Sequence, residues 1–165
     1  LDKLDESARE RANYILAKSL LLNQNSGQAI EEFKRLTKAK NPEYAAEAQY
    51  VLAEIAFNSG KIEESEKMIH QINANPSSEY WLAKTFVLWA DIFKSKGNTI
   101  QAKQTLQSII DNYEGDEELI ETAKQKLLSL TDEETKALQE TEDKRQEHQE
   151  AVDEIIIEDA EQQNQ

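Results

Sequence analysis

His70 and His148 are the chain's two histidines, and they fall in different segments with no companion histidine at metal-ligand spacing. Zinc and related centres gather three or four donors from closely placed positions, so this pair predicts solvated imidazoles and no transition-metal site. Cysteine is absent, which excludes thiolate zinc, iron–sulfur clusters, disulfide scaffolds and a cysteine nucleophile, and leaves the compartment unassigned. Carboxylates are plentiful. Yet Glu63, Glu64 and Glu66, like Glu117, Glu118 and Glu121, fall on helix faces expected to meet water, where runs of acid serve solubility. No two of them stand out as an acid and its base. Asp132, Glu133 and Glu134 lack the alternating oxygen ligands and turn glycine of a calcium loop. No glycine-rich phosphate cradle occurs, and the serines lack a nucleophile elbow or a base. The expectation is a chain without cofactor or catalytic residues, not an enzyme.

Charge narrows the partners. Against 33 acidic residues stand 19 basic ones, a formal net charge of −14, and such a chain repels phosphate backbones unless it carries a local basic patch. It carries none, so nucleic acid is not an expected partner. Uninterrupted apolar runs are only a few residues, as in Leu20 to Leu22 and Ile155 to Ile157, far short of the ~20 residues that cross a bilayer, so direct membrane insertion is not expected. The chain opens at Leu1 without an initiator methionine or a signal-peptide pattern, which predicts a piece of a longer or processed protein. Its 165 residues fit one domain with a tail.

The elements that position any site must be helices. Four glycines and two prolines are few for a chain of strands and tight turns, and they fall at joints: Gly27, Gly60, Gly97 and Gly115 separate apolar-periodic segments, while Asn41-Pro42 and Asn75-Pro76 suit helix starts. Apolar residues recur at steps of three and four in Tyr50, Leu52, Ala53, Ala56 and Phe57, and again in Phe86, Trp89, Ala90 and Phe93. Shorter apolar stripes follow Gly60 and Gly97. The unit is helix, turn, helix, and it occurs three times, at about 5–41, 42–76 and 77–115.

Laid over one another, the units keep register. Ala17, Ala53 and Ala90 lie 36 and 37 residues apart, as do Ala29, Ser65 and Ala102, then Phe33, Ile69 and Leu106, then Leu36, Ile72 and Ile109. Small residues let paired helices approach closely, and bulky ones fill the gap to the next pair. In these residues, in the turn glycines and in Pro76, the sequence resembles the tetratricopeptide repeat family. The likeness covers about residues 10 to 115, and Tyr80 to Gly115 looks like the terminal repeats of long bacterial members. Gln24 stands where the first turn's glycine is expected. The resemblance implies an all-α, right-handed superhelical stack of helical hairpins, an α-solenoid.

Beyond Gly115, Asp116 is placed to cap a helix with Glu117 and Glu118 in its first turn. Leu119, Ile120, Ala123, Leu127 and Leu130 form its stripe, which predicts a capping helix over 116–130. The tail, 131–165, carries thirteen acidic residues against Lys136, Lys144 and Arg145, which places −10 of the −14 there. Its apolar stripe fails between Gln139 and Glu150, so the tail is expected as a fraying charged helix or as disorder. Within it Val152, Ile155, Ile156 and Ile157 stand among acids, either folding back on the repeats or serving as a short motif for a partner with a basic-rimmed groove.

By position in the family, the concave side is lined by Arg11, Tyr14, Lys18 and Leu21 from the first hairpin, Glu47, Tyr50, Glu54 and Phe57 from the second, and Lys84, Val87, Asp91 and Lys94 from the third. Tyr50 and Phe57 are read either as interface anchors or as packing between helices. Of the residues with which some family members clamp a chaperone's acidic carboxy terminus, Lys84 matches one place. Tyr14, Lys18, Val51 and Leu88 occupy the others, so that partner is not carried over. The expected function is a scaffold binding a protein or peptide of unknown identity. Self-assembly is one alternative, through an apolar flank that includes some of Leu16, Leu20, Leu21 and Leu22 and is covered either by a second copy, making a homo-oligomer, or by missing upstream repeats; a regulatory or adaptor domain of a larger protein is another.

Overall fold

The computed structural model describes the backbone of residues 5–162 and the side chains of residues 5–152. Every described element is an α-helix: α1 (Glu6–Leu22), α2 (Ser26–Leu36), α3 (Pro42–Asn58), α4 (Ile62–Ala74), α5 (Glu79–Ser95), α6 (Thr99–Asn112) and α7 (Glu117–Gln162). None of them is long and apolar enough to cross a membrane.

Two kinds of helix start alternate along the chain. The longer helices α1, α3 and α5 follow Asp5, Asn41 and Ser78, whose side chains accept hydrogen bonds from first-turn amides, and Asp116 takes the Leu119 amide at 2.8 Å. Each such cap is worth ~1 kcal/mol. The shorter helices α2, α4 and α6 have no side-chain cap. They emerge directly from a turn that is repeated bond for bond. The amides of Asn25, Lys61 and Asn98 reach back to the carbonyls of Leu20, Ala56 and Phe93, while those of Gln24, Gly60 and Gly97 reach Leu21, Phe57 and Lys94. Such a helix end requires one left-handed residue, and the residues with positive φ are Gln24 (59°), Gly60 (75°) and Gly97 (75°). The glutamine occupies the glycine's conformation as well as its place.

Each longer helix packs on the shorter one that follows, α1 on α2, α3 on α4 and α5 on α6, and the pairs meet through α2 with α3, α3 with α5 and α4 with α5. The register read from sequence coincides with burial: every member of the four predicted sets, from Ala17, Ala53 and Ala90 to Leu36, Ile72 and Ile109, is less than 5% exposed. Ser65 shows what the small position costs when it is polar. Its hydroxyl donates to the Ala53 carbonyl at 2.8 Å across the α3–α4 crossing, so no buried donor is left unpaired.

The chain falls into two compact units that divide between Gln125 and Lys126. The first holds α1 to α6 and the opening turns of α7, where Leu119 and Ala123 are buried. In the second, residues 131–151 are exposed throughout and helical. The predicted boundary between cap and tail at 130/131 is not marked by a break, and the described tail is helix. No glycine or proline stands beyond Gly115, so nothing interrupts a run rich in Glu, Gln, Lys and Ala, all good helix formers. The hydroxyls of Thr131, Thr135 and Thr141 bond back to carbonyls four residues earlier. Val152 is partly exposed on α7, while the side chains of Ile155, Ile156 and Ile157 lie outside the described residues.

Candidate functional site

Side chains from α1, α3 and α5 meet on one face, beginning with a hydrogen-bonded triad. Tyr14 and Lys18 lie one turn apart on α1 and so project to the same side. The Tyr14 hydroxyl donates to Glu47 Oε2 at 2.7 Å, and Lys18 Nζ donates to Glu47 Oε1 at 2.7 Å and to the Tyr14 oxygen at 3.1 Å. Glu47 is only 7% exposed, and a carboxylate so far out of water is tolerable only when paired. The bond to Glu47 raises the Lys18 ammonium above its ordinary range, and burial raises the Tyr14 phenol, helped by the same carboxylate. The Tyr14 ring stacks on Tyr44 of α3 with centroids 4.4 Å apart.

A second cluster joins α3 to α5. The Tyr50 hydroxyl donates to Glu54 Oε1 at 2.6 Å, one turn along α3. Burial pushes this phenol well above its usual range, with the bond to Glu54 and the negative charges of Glu54 and Asp91 adding to the shift. The Tyr50 ring lies 5.3 Å from that of Trp81, and Lys84 projects its ammonium between three rings, 5.2 Å from Tyr50, 5.8 Å from Tyr80 and 5.1 Å from Trp81. A cation over aromatic faces is attracted by their quadrupoles, and each contact is worth ~0.5–2 kcal/mol depending on exposure.

The structure therefore brings seven of the twelve predicted groove residues into two connected clusters: Tyr14, Lys18 and Glu47, then Tyr50, Glu54, Lys84 and Asp91. Arg11 is exposed beside the first. Leu21 and Phe57 pack half-buried against the core, Val87 is 8% exposed, and Lys94 is exposed on α5. Of the two readings of Tyr50 and Phe57, packing between helices describes their surroundings. Tyr50 is 6% exposed because Trp81 and Lys84 of the next hairpin lie over it, and Glu47 and Val87 are likewise too buried to meet a ligand directly. The accessible surface comes from Arg11, Lys18, Glu54, Lys84 and Lys94, with Phe57 at its edge. Tyr44, Tyr80 and Trp81 were missed, although the signal was present: each stands three or four residues before a predicted groove residue, Glu47 or Lys84, one turn back on the same stripe.

Opposite Lys84 on α5, Phe86 borders two clefts. One, of about 390 Å³, includes Leu82, Ile109 and Tyr113, and the other, of about 320 Å³, includes Trp89, Phe93 and Thr105. His70 is exposed and lies edge-on to Trp89 at 5.0 Å. Among the described residues no group of three His, Asp or Glu side chains is arranged to hold a metal ion.

These features define an all-helical protein built from successive helix pairs. Compared with protein-family models the chain matches none, and compared with curated proteins it again matches none.

Proposed function

We propose that this chain is a non-enzymatic binding scaffold, in which three tetratricopeptide-like hairpins form a right-handed superhelical stack and present their longer helices to a protein segment. The observation that carries the reading is the continuity of the face. Tyr14 and Lys18 of α1 are tied to Glu47 of α3, and Tyr50 of α3 is tied to Trp81 and Lys84 of α5. Three helices thus offer one strip whose inner layer is fixed and whose outer layer, Arg11, Lys18, Glu54, Lys84 and Lys94, is accessible and carries both signs of charge. A preorganised inner layer lowers the ordering cost of binding, and mixed charge with half-buried rings suits an extended or helical peptide. The acidic stretch beyond the stack is a solubilising segment in this reading, with Val152 and Ile155 to Ile157 as an apolar cluster within it.

The reading is tested by selecting binders from a displayed random-peptide library and measuring their affinity for Arg11→Glu, Lys84→Ala and Phe57→Ala variants, with Ile15→Glu as an off-face control. Weakening by the first three and indifference to the fourth supports the strip as the binding surface. Peptides insensitive to all three, or displaced by Ile15→Glu, remove it.

A further inference from the structure

Repeat equivalence carries an inference about a different face. Six residues after the start of a longer helix stand Ala48 on α3, Thr85 on α5 and Ala123 on α7, and all are 0% exposed. Three residues further on stand Val51 (6%) and Leu88 (5%). The helices α3 and α5 are covered there because each lies against the second helix of the preceding pair, α2 or α4. Phe33 and Leu36 of α2 and Ile69 of α4 belong to the same apolar cluster as Ala48, Val51 and Leu88. On α1 the corresponding places hold Ala12, which is exposed, and Ile15, which is 55% exposed, followed by Leu16 at 47%. Leu22, on the last turn, is 84% exposed. The two positions that are buried on both α3 and α5 are thus bare, as Ala12 and Ile15, on the one longer helix that has no preceding pair among the described residues.

We infer that this open face of α1 is a docking surface for a helical hairpin of the chain's own kind. Its second helix would carry a small residue followed four and seven places later by bulky apolar ones, as α2 does with Ala29, Phe33 and Leu36 and α4 with Ser65, Ile69 and Ile72. The face continues an interface that the fold already forms twice. Its side chains have the sizes that interface uses, small at Ala12 and branched at Ile15, so a partner helix of that pattern meets the surface that Ala48 and Val51 offer α2. Apolar side chains clustered in this way on one helix mark an interaction surface more often than a free one.

The test inserts a second copy of residues 42–78 between Asp5 and Glu6 of the full chain. The added hairpin then starts behind Asp5 and α1 starts behind Ser78, both natural caps. The expected result is a single melting transition raised by ~4–8 °C. Amide exchange across Ala12–Ser19 slows by a factor of about 10. Ile15→Glu abolishes both effects in the extended chain while leaving the melting of the original chain unchanged, because Ile15 already faces water there. An unaltered midpoint with no response to Ile15→Glu overturns the inference. So does sedimentation of the original chain as a dimer that Ile15→Glu splits, since the face would then belong to a second copy.

Discussion

Gln24 offers the sharpest test of equivalence between the hairpins. It sits at φ 59° in the turn where Gly60 and Gly97 sit at 75°, and its amide makes the same backbone bond. An L residue in this region carries a clash between Cβ and carbonyl of ~1–2 kcal/mol. Gln24→Gly relieves that clash but returns ~0.4–1 kcal/mol to the unfolded chain as entropy. Gln24 is exposed, so no packing is lost, and the net expectation is stabilisation by ~0.5–1 kcal/mol. For a chain of this size that raises the melting midpoint by ~1–4 °C. The reverse change is equally clean, because a Cβ built on Gly60 or Gly97 meets nothing within 4 Å. Gly60→Ala and Gly97→Ala therefore pay the backbone term alone and lower stability by a similar ~0.5–1 kcal/mol. Thermal melts followed by circular dichroism, with denaturant titration as a second measure, read all three. A lower midpoint for Gln24→Gly, or full tolerance of alanine at both glycines, would refute the claim that the three turns are one structure repeated.

Lys18→Met strands the buried Glu47 carboxylate with the Tyr14 hydroxyl as its remaining donor, and is expected to cost ~1–2 kcal/mol, below the full penalty for breaking a buried pair because Lys18 is partly in water. A double-mutant cycle with Glu47→Gln, measured by urea titration, should recover most of that cost. Because the folded-state ammonium of Lys18 is raised, its share of stability is fully present below the ordinary lysine value of about 10.4 and is lost as pH rises through the higher folded value. Urea midpoints between neutrality and strong alkali should therefore lose in Lys18→Met the alkaline fall that this lysine contributes. Ala53→Trp or Ala90→Trp overpacks a crossing where each alanine is 2% exposed or less, for a loss of ~1–3 kcal/mol or more in the same titration. Deleting residues 139–165 should change the stability of the helix pairs by no more than ~0.5 kcal/mol, since residues 139–151 are exposed.

What was legible in the sequence was whatever burial enforces. The sets headed by Ala17, Ala29, Phe33 and Leu36 recur because a close crossing admits few side chains, and the structure returns every member of them as core. The turn at Gln24 was less visible, since the requirement there is a backbone angle that glycine satisfies without strain and glutamine satisfies at a cost. The face of α1, α3 and α5 was legible as a stripe but not in depth. Spacing places Tyr50 and Glu47 on the right side of their helix, yet how deeply each is buried depends on Trp81, Lys84, Tyr14 and Lys18 from neighbouring pairs. Beyond Leu130 the sequence left a charged helix and disorder both open, for a different reason. An apolar stripe signals what a helix packs against, and a run with good formers and no breaker stays helical without one.

The two tryptophans lie on different sides of α5, Trp81 against Tyr50 and Lys84, Trp89 against Phe86, Phe93 and His70. Each indole therefore samples its own microenvironment, and replacing either by phenylalanine leaves a spectroscopic reporter dedicated to one side. With Trp81 alone, emission follows events around Lys84. With Trp89 alone, emission follows events around Phe86, Phe93 and His70, so a single helix carries two independent optical channels.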